Sequence, residues 1–166
     1  MQSAKDTFYV TLRDRLASVN AARTMVLRGV TRPGVLVEEN ELVAAFAPVN
    51  AFCLRWTTLS VDAQGALPLV RMGCEIRYAT DGSAGNGAMD RGRLLAAMDA
   101  ELVAAVSAAP QSAVKRNFAG AAVAAPVLGT RVFWGDAEFG AVAVKGERLE
   151  RVARVEVFVY QEAGEL

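Results

Sequence analysis

The sequence predicts an α+β domain, a mixed and largely antiparallel sheet packed against two main helices. Three observations predict it. Residues 4–19 and 89–106 carry apolar side chains at spacings of three and four, the repeat of a helix with one buried stripe. Two segments near the middle alternate apolar and polar residues on either side of a turn signal, as an antiparallel hairpin does. Residues 149–160 alternate more strongly than any other stretch and read as a central strand.

The elements follow in order. Phe8, Leu12, Leu16 and Val19 form the first helical stripe, while Lys5, Asp6, Arg13, Asp14 and Arg15 lie outside it. Asn20 ends that helix, and residues 24–30 read as one short strand, broken by the turn at Pro33-Gly34. Residues 35–48 read as an exposed connection with a short strand, because Glu38-Glu39-Asn40-Glu41 interrupts its apolar residues. Phe52, Leu54 and Trp56 mark a strand running to about residue 61, and Asp62-Ala63-Gln64-Gly65 turns it. After Pro68, Met72, Cys74, Ile76 and Tyr78 define one face of the returning strand; Arg71, Glu75 and Arg77 define a wet one.

Residues 81–88 are glycine-rich, and Asp90 is placed to cap the second helix. Leu94, Leu95, Met98, Leu102 and Val106 are its expected buried stripe, and Pro110 lies beyond its end. Between residues 111 and 146 the pattern weakens into Gly, Ala and Pro with isolated aromatics, which reads as a long loop holding one strand near residues 130–134. No internal repeat and no linker divides the chain, so a single domain over residues 1–166 is expected, with long loops at 32–50 and 111–146.

Length and composition agree. A chain of 166 residues buries roughly 70% of its unfolded surface and can build its own core. No apolar run approaches a membrane span, and the first residues, Met1-Gln2-Ser3-Ala4-Lys5-Asp6, lack the apolar centre of a secretory signal, so the expected compartment is the cytoplasm and no membrane partner is expected. Basic residues (18) equal acidic ones (18), which leaves no net field to attract nucleic acid. Cys53 and Cys74 are expected as buried apolar residues rather than a disulfide.

The sequence contains no histidine, the side chain best matched to proton transfer near neutral pH and the commonest metal ligand. Two isolated cysteines cannot complete a structural zinc site. No catalytic residue, metal or cofactor is therefore expected. Glu38, Glu39 and Glu41 have the chemistry of paired carboxylates, but their crowding in a polar stretch reads as solvated loop. Gly82-Ser83-Ala84-Gly85-Asn86-Gly87 precedes a helix, as an anion-holding loop would, but no Lys-Ser or Lys-Thr pair follows it. Trp56, Trp134, Phe133 and Phe158 could stack on bases, although aromatics alternating along strands more often fill a core. Phe133-Trp134, in a loop of small residues, either meets another subunit or packs back on the sheet. A pocket between sheet and helices lined by Phe8, Trp56, Tyr78 and Met98 would make the chain a small-molecule or peptide binding module; the favoured reading is that the same residues simply fill the core.

Several of these segments fall in a familiar order. They are the first helix with Phe8, Leu12 and Leu16, and Cys74-Glu75-Ile76-Arg77-Tyr78-Ala79 ending in Asp81-Gly82. The helix at 89–106 and the closing Val155-Glu156-Val157-Phe158-Val159-Tyr160 complete it. Together they resemble the tail terminator or tail-completion proteins of long-tailed bacteriophages and phage-tail-like particles. The resemblance implies a subunit that closes into a homo-oligomeric ring, typically a hexamer, which caps the tail tube and joins it to the head or neck. Its implied partners are the tail-tube protein and neck or connector proteins, and DNA would pass through the ring without sequence-specific binding. The implied location is the tail of a particle assembled in the host cytoplasm. A neck or tail-tube component of such a particle is the alternative within the class. The chain departs from the family's pattern in the length of the loop at 111–146. A closed ring repeats one heterologous contact and needs two different patches per subunit. The candidates for them are Arg32, Glu38, Glu39, Glu41 and Phe46 in the first loop, and Phe118, Phe133, Trp134 and Phe139 in the second.

Overall fold

The apolar stripe of the first helix determines where the core lies. In the computed structural model, which describes residues 1–41, 49–120, 124–162 and 165, α1 spans Gln2–Val19 and buries Ala4, Phe8, Leu12 and Leu16. The second long helix, α3 (Arg91–Val106), buries Leu95, Met98, Leu102, Ala105 and Val106; Leu94 is only half-buried. Both helices lie on one face of an eight-stranded mixed sheet and share a single apolar cluster with it. The α+β architecture expected from periodicity is the one the chain adopts.

The sheet runs β3 (Val35–Val37), β4 (Phe52–Asp62), β5 (Leu69–Thr80), β10 (Arg148–Tyr160), β7 (Val127–Trp134), β6 (Ser112–Arg116). Along one side β10 pairs with β5, from Leu149↔Thr80 to Tyr160↔Leu69. Along the other it meets β9 (Ala143–Lys145), β8 (Glu138–Phe139) and β7 in turn. The strongest alternation in the sequence thus belongs to the central strand, whose Ala153, Val155, Val157 and Val159 face the helices. Cys53 and Cys74 are both buried, and neither is in a disulfide.

Three expectations need correction. Residues 24–30 are not one strand: Thr24–Leu27 (β1) and Val30–Pro33 (β2) form a separate two-stranded hairpin. Its two-residue turn, Arg28-Gly29, has positive φ at both positions (50° and 80°), the conformation that matches the twist of hairpin strands and favours glycine at the second. The short strand expected within 35–48 is β3, but its Val35, Leu36 and Val37 are buried rather than exposed and pair in parallel with β4, and the short helix α2 (Glu38–Glu41) follows. Nor is 111–146 a loop. It supplies β7, which contains the strand expected at residues 130–134, and also β6, β8 and β9, which escaped notice because small residues alternate weakly and two of these strands have only two or three residues.

Candidate assembly surfaces

The candidate interface residues fall into three places. Around one flank of α1, the Arg32 guanidinium donates to Tyr9 Oη and to the Val35 carbonyl, each at 3.3 Å. Lys5 Nζ approaches Glu39 at 3.8 Å, and Glu38 Oε2 is buried without a hydrogen bond among the described residues. The Glu41 side chain and Phe46 lie outside the described residues. On the opposite flank, Phe118 joins Val10, Thr11, Ala113 and Val114 in an open groove of about 560 Å³ between α1 and β6. Phe133 stands on the far face of the sheet, bare of helices, where its ring stacks on Phe158 at 6.3 Å.

Two candidates are core residues instead. Trp134 is 4% exposed. It meets the edge of Phe8 at 5.5 Å, donates its indole N–H to the Val106 carbonyl, and carries Arg15 over its ring at 5.0 Å. Arg15 in turn donates to the carbonyls of Ala105, Ala108 and Pro110, satisfying groups that the end of α3 leaves open. Of the two readings of Trp134, packing back on the sheet is the one realised. Phe139 is half-buried against the same core. Consecutive strand residues face opposite ways, so Phe133 and Trp134 could not share a destination.

The surface that sequence reasoning missed is the distal half of β4. The short β3 covers only Phe52, Cys53 and Leu54. Beyond them, among the described residues, no strand pairs with the outer edge of residues 55–62. There Leu59 (55% exposed) and Val61 (47%) face the same way as their partners Met72 and Val70, which are in the core. A bulge between Trp56 and Thr58 bends this half of the hairpin. Gly73 sits opposite, donating its N–H to Thr58 Oγ1 at 3.0 Å and accepting from Thr57 Oγ1 at 3.3 Å. A Cβ on Gly73 would come within 2.5 Å of Thr58 Oγ1, so glycine is what lets both threonines fold over the strand. The β1–β2 hairpin adds Val26 and Val30, both well exposed. The alternation of Thr57-Thr58-Leu59-Ser60-Val61 is visible in the sequence; that its outer neighbour stops after three residues is not.

The polar clusters beneath these surfaces hold elements together. Tyr78 Oη donates to Asp99 Oδ1 at 2.5 Å, and Arg151 Nη1 donates to Asp99 Oδ2 at 2.6 Å, which ties α3 to β5 and β10. Burial first, and then the bond to Asp99, push the Tyr78 phenol far above its ordinary value. Glu101 accepts from Arg23 Nε at 2.5 Å and from Asn20 Nδ2 at 2.7 Å, binding α3 to the end of α1 and the base of the β1–β2 hairpin. Burial raises the Glu101 pKa, but these donors outweigh it and the net shift is downward. Burial likewise pushes the Cys74 thiol up, away from the thiolate a nucleophile needs.

Asp90 occupies the position before α3 but makes no side-chain cap bond. Its carboxylate turns back to accept from the Ser83 hydroxyl (2.6 Å) and amide (2.9 Å) and from Asn86, and these bonds hold its pKa down at about 2. The glycine-rich loop thus spends its Ser83 amide on its own carboxylate. Phe8, Tyr78 and Met98, three of the residues set out as a pocket lining, are fully buried in the core, and Trp56 packs against it. Among the described residues no group of three or more His, Cys, Asp or Glu is placed to hold a metal ion, and no helix is long and apolar enough to cross a membrane. No family model matches the chain, and no curated protein matches it.

Proposed function

We propose that this chain is a structural assembly subunit that closes into a homo-oligomeric ring, and that the ring is the tail terminator of a phage or phage-tail-like particle. The observation that carries the reading is the bare half of β4. An open strand edge presents unpaired backbone donors and acceptors, and natural proteins blunt such edges with lysine, proline, a bulge or a covering element; here the bulge at Trp56–Thr58 is the one such device present on this edge among the described residues. Residues 57–62, Thr-Thr-Leu-Ser-Val-Asp, contain neither lysine nor proline, and they add two exposed apolar side chains that continue the core face. An edge of this kind suits a partner that is always present.

The second patch a ring requires has two candidates on α1, the Arg32–Glu38–Glu39 flank and the Phe118 groove. In this reading the ring is a hexamer seated on the last ring of the tail tube, with neck or connector proteins above it and DNA passing through without sequence-specific binding. Its action is mechanical, ending tube growth and offering a platform to the head, and it belongs to the tail of the assembled particle. Purified tail tubes mixed with the gold-labelled chain and imaged in negative stain test the role. Label confined to one tube end is expected. Label along the whole length would make the chain a tube protein, and no label on tubes would remove the tail assignment.

A further inference from the structure

The face of the sheet opposite the helices carries one row unlike its neighbours. Most charge on this face is internally matched. Arg55, Glu75, Arg154 and Glu138 lie in cross-strand register, with Arg154–Glu75 at 3.3 Å and Arg77–Glu75 at 3.6 Å. A parallel row runs Ser60, Arg71, Phe158, Phe133, Ser112 across β4, β5, β10, β7 and β6. Here the two phenyl rings stack with only 9° between their planes, and Phe133 is 36% exposed. Arg71 has no carboxylate partner among the described residues, and Arg131, two residues from Phe133, donates only to Ser112 Oγ, at 3.0 Å. Tyr160, two residues from Phe158 on β10, is also exposed.

We infer that this row is a binding platform for a short segment of single-stranded nucleic acid. A base stacks on the open side of the Phe133–Phe158 pair, and the flanking phosphates take Arg71 and Arg131. Every base offers a π-face, so such a site tolerates any sequence. Arginines without acid partners are what a phosphate needs and what a purely apolar protein contact would bury at a cost. The next row limits the footprint. Its depression of about 490 Å³ beside Gly73 and Gly135 reaches Ser60 and Arg71 of the platform row and is also lined by Arg154 and by Asp136, Glu138 and Glu156, whose three carboxylates leave only the Phe158 side of Arg71 to a phosphate. The strand therefore crosses the rings along the line from Arg71 to Arg131. This site stands independently of the ring, because β4's edge and the flanks of α1 take no part in it beyond Ser60.

Fluorescence anisotropy of a labelled short oligothymidine against the full chain at low salt tests it. Saturable binding is expected, weakened about tenfold or more by Phe133→Ala or Phe158→Ala, as the loss of one base stack implies. Each of Arg71→Gln and Arg131→Gln should lower the salt slope by about 0.7, and Lys145→Ala, off the platform, should change nothing. Circular dichroism checks that each variant folds. Three results would overturn the inference: no binding at low salt, binding unchanged by Phe133→Ala, or a Phe133→Ala chain whose oligomeric mass changes while its oligothymidine binding does not.

Discussion

The two halves of β4 differ in cover far more than in chemistry. Phe52, Cys53 and Leu54 are buried between β3, β5 and the core, while every residue from Thr57 to Asp62 is exposed. Both halves place apolar side chains on the helix-bearing face. One half is completed within the chain; the other ends where its outer neighbour runs out. The contrast teaches that an apolar pattern records what a strand is built to touch, and that residues 57–62, whose outer edge pairs with no strand among the described residues, are the place to seek a second subunit.

A like contrast exists on β7, and it yields the largest expected effect. Trp134→Ala removes a buried ring that meets Phe8 and hydrogen-bonds Val106, and should destabilise the chain by about 3–5 kcal/mol. Phe133→Ala loses one stacked pair at the surface and should cost no more than about 1.5 kcal/mol. Urea unfolding of both variants checks this, and equal losses would break the division of β7 into a core face and an open one.

On β4 the comparison sharpens through Leu54 and Leu59. Leu54→Ala should cost about 2–5 kcal/mol by leaving a cavity in the core. Leu59→Ser should alter the stability of the isolated subunit by no more than about 0.5 kcal/mol and yet weaken self-association, measured by sedimentation at several concentrations. If Leu59→Ser unfolded the chain as Leu54→Ala does, residues 57–62 would be part of the subunit's own core.

The smallest effect lies in the glycine-rich loop, the opposite of a bare surface because its polar groups satisfy one another. Bonds from Ser83 and Asn86 favour ionised Asp90 and depress its pKa from 3.8 to about 2. A depressed carboxylate stabilises the fold above its unfolded value, and that contribution is lost as pH falls through the folded one. The thermal midpoint should therefore fall between about pH 4 and about pH 2, with a shallower fall in Asp90→Asn. An unchanged slope in that variant would mean that Asp90 does not hold the loop.

The sequence announced the long periodic elements and little of what lies between them. Both helices, the β4–β5 hairpin and the central β10 were legible because each carries a long periodic apolar pattern, whether or not the chain itself buries all of it. The Arg28-Gly29 hairpin was hidden inside what looked like one apolar run, and the strands of 111–146 other than β7 were hidden by small residues and short length. Among the candidate surfaces, Phe118, Phe133 and the Arg32 flank were chosen by composition, whereas Trp134 lies in the core because a single strand parity separates it from Phe133. The open edge at Leu59 and Val61 could not be found at all, since it depends on where β3 ends in space and not on any residue of β4.

The central claim is that the subunit completes itself with copies of itself. Sedimentation-velocity analysis of the full chain beside its Leu59→Asp, Val61→Asp double variant tests it most directly. The account predicts a concentration-dependent closed species with the mass of a hexamer of the 17.6 kDa chain, replaced in the variant by a folded monomer. A wild-type chain that remains monomeric at the highest attainable concentration, or a variant that assembles as well as wild type, would contradict it.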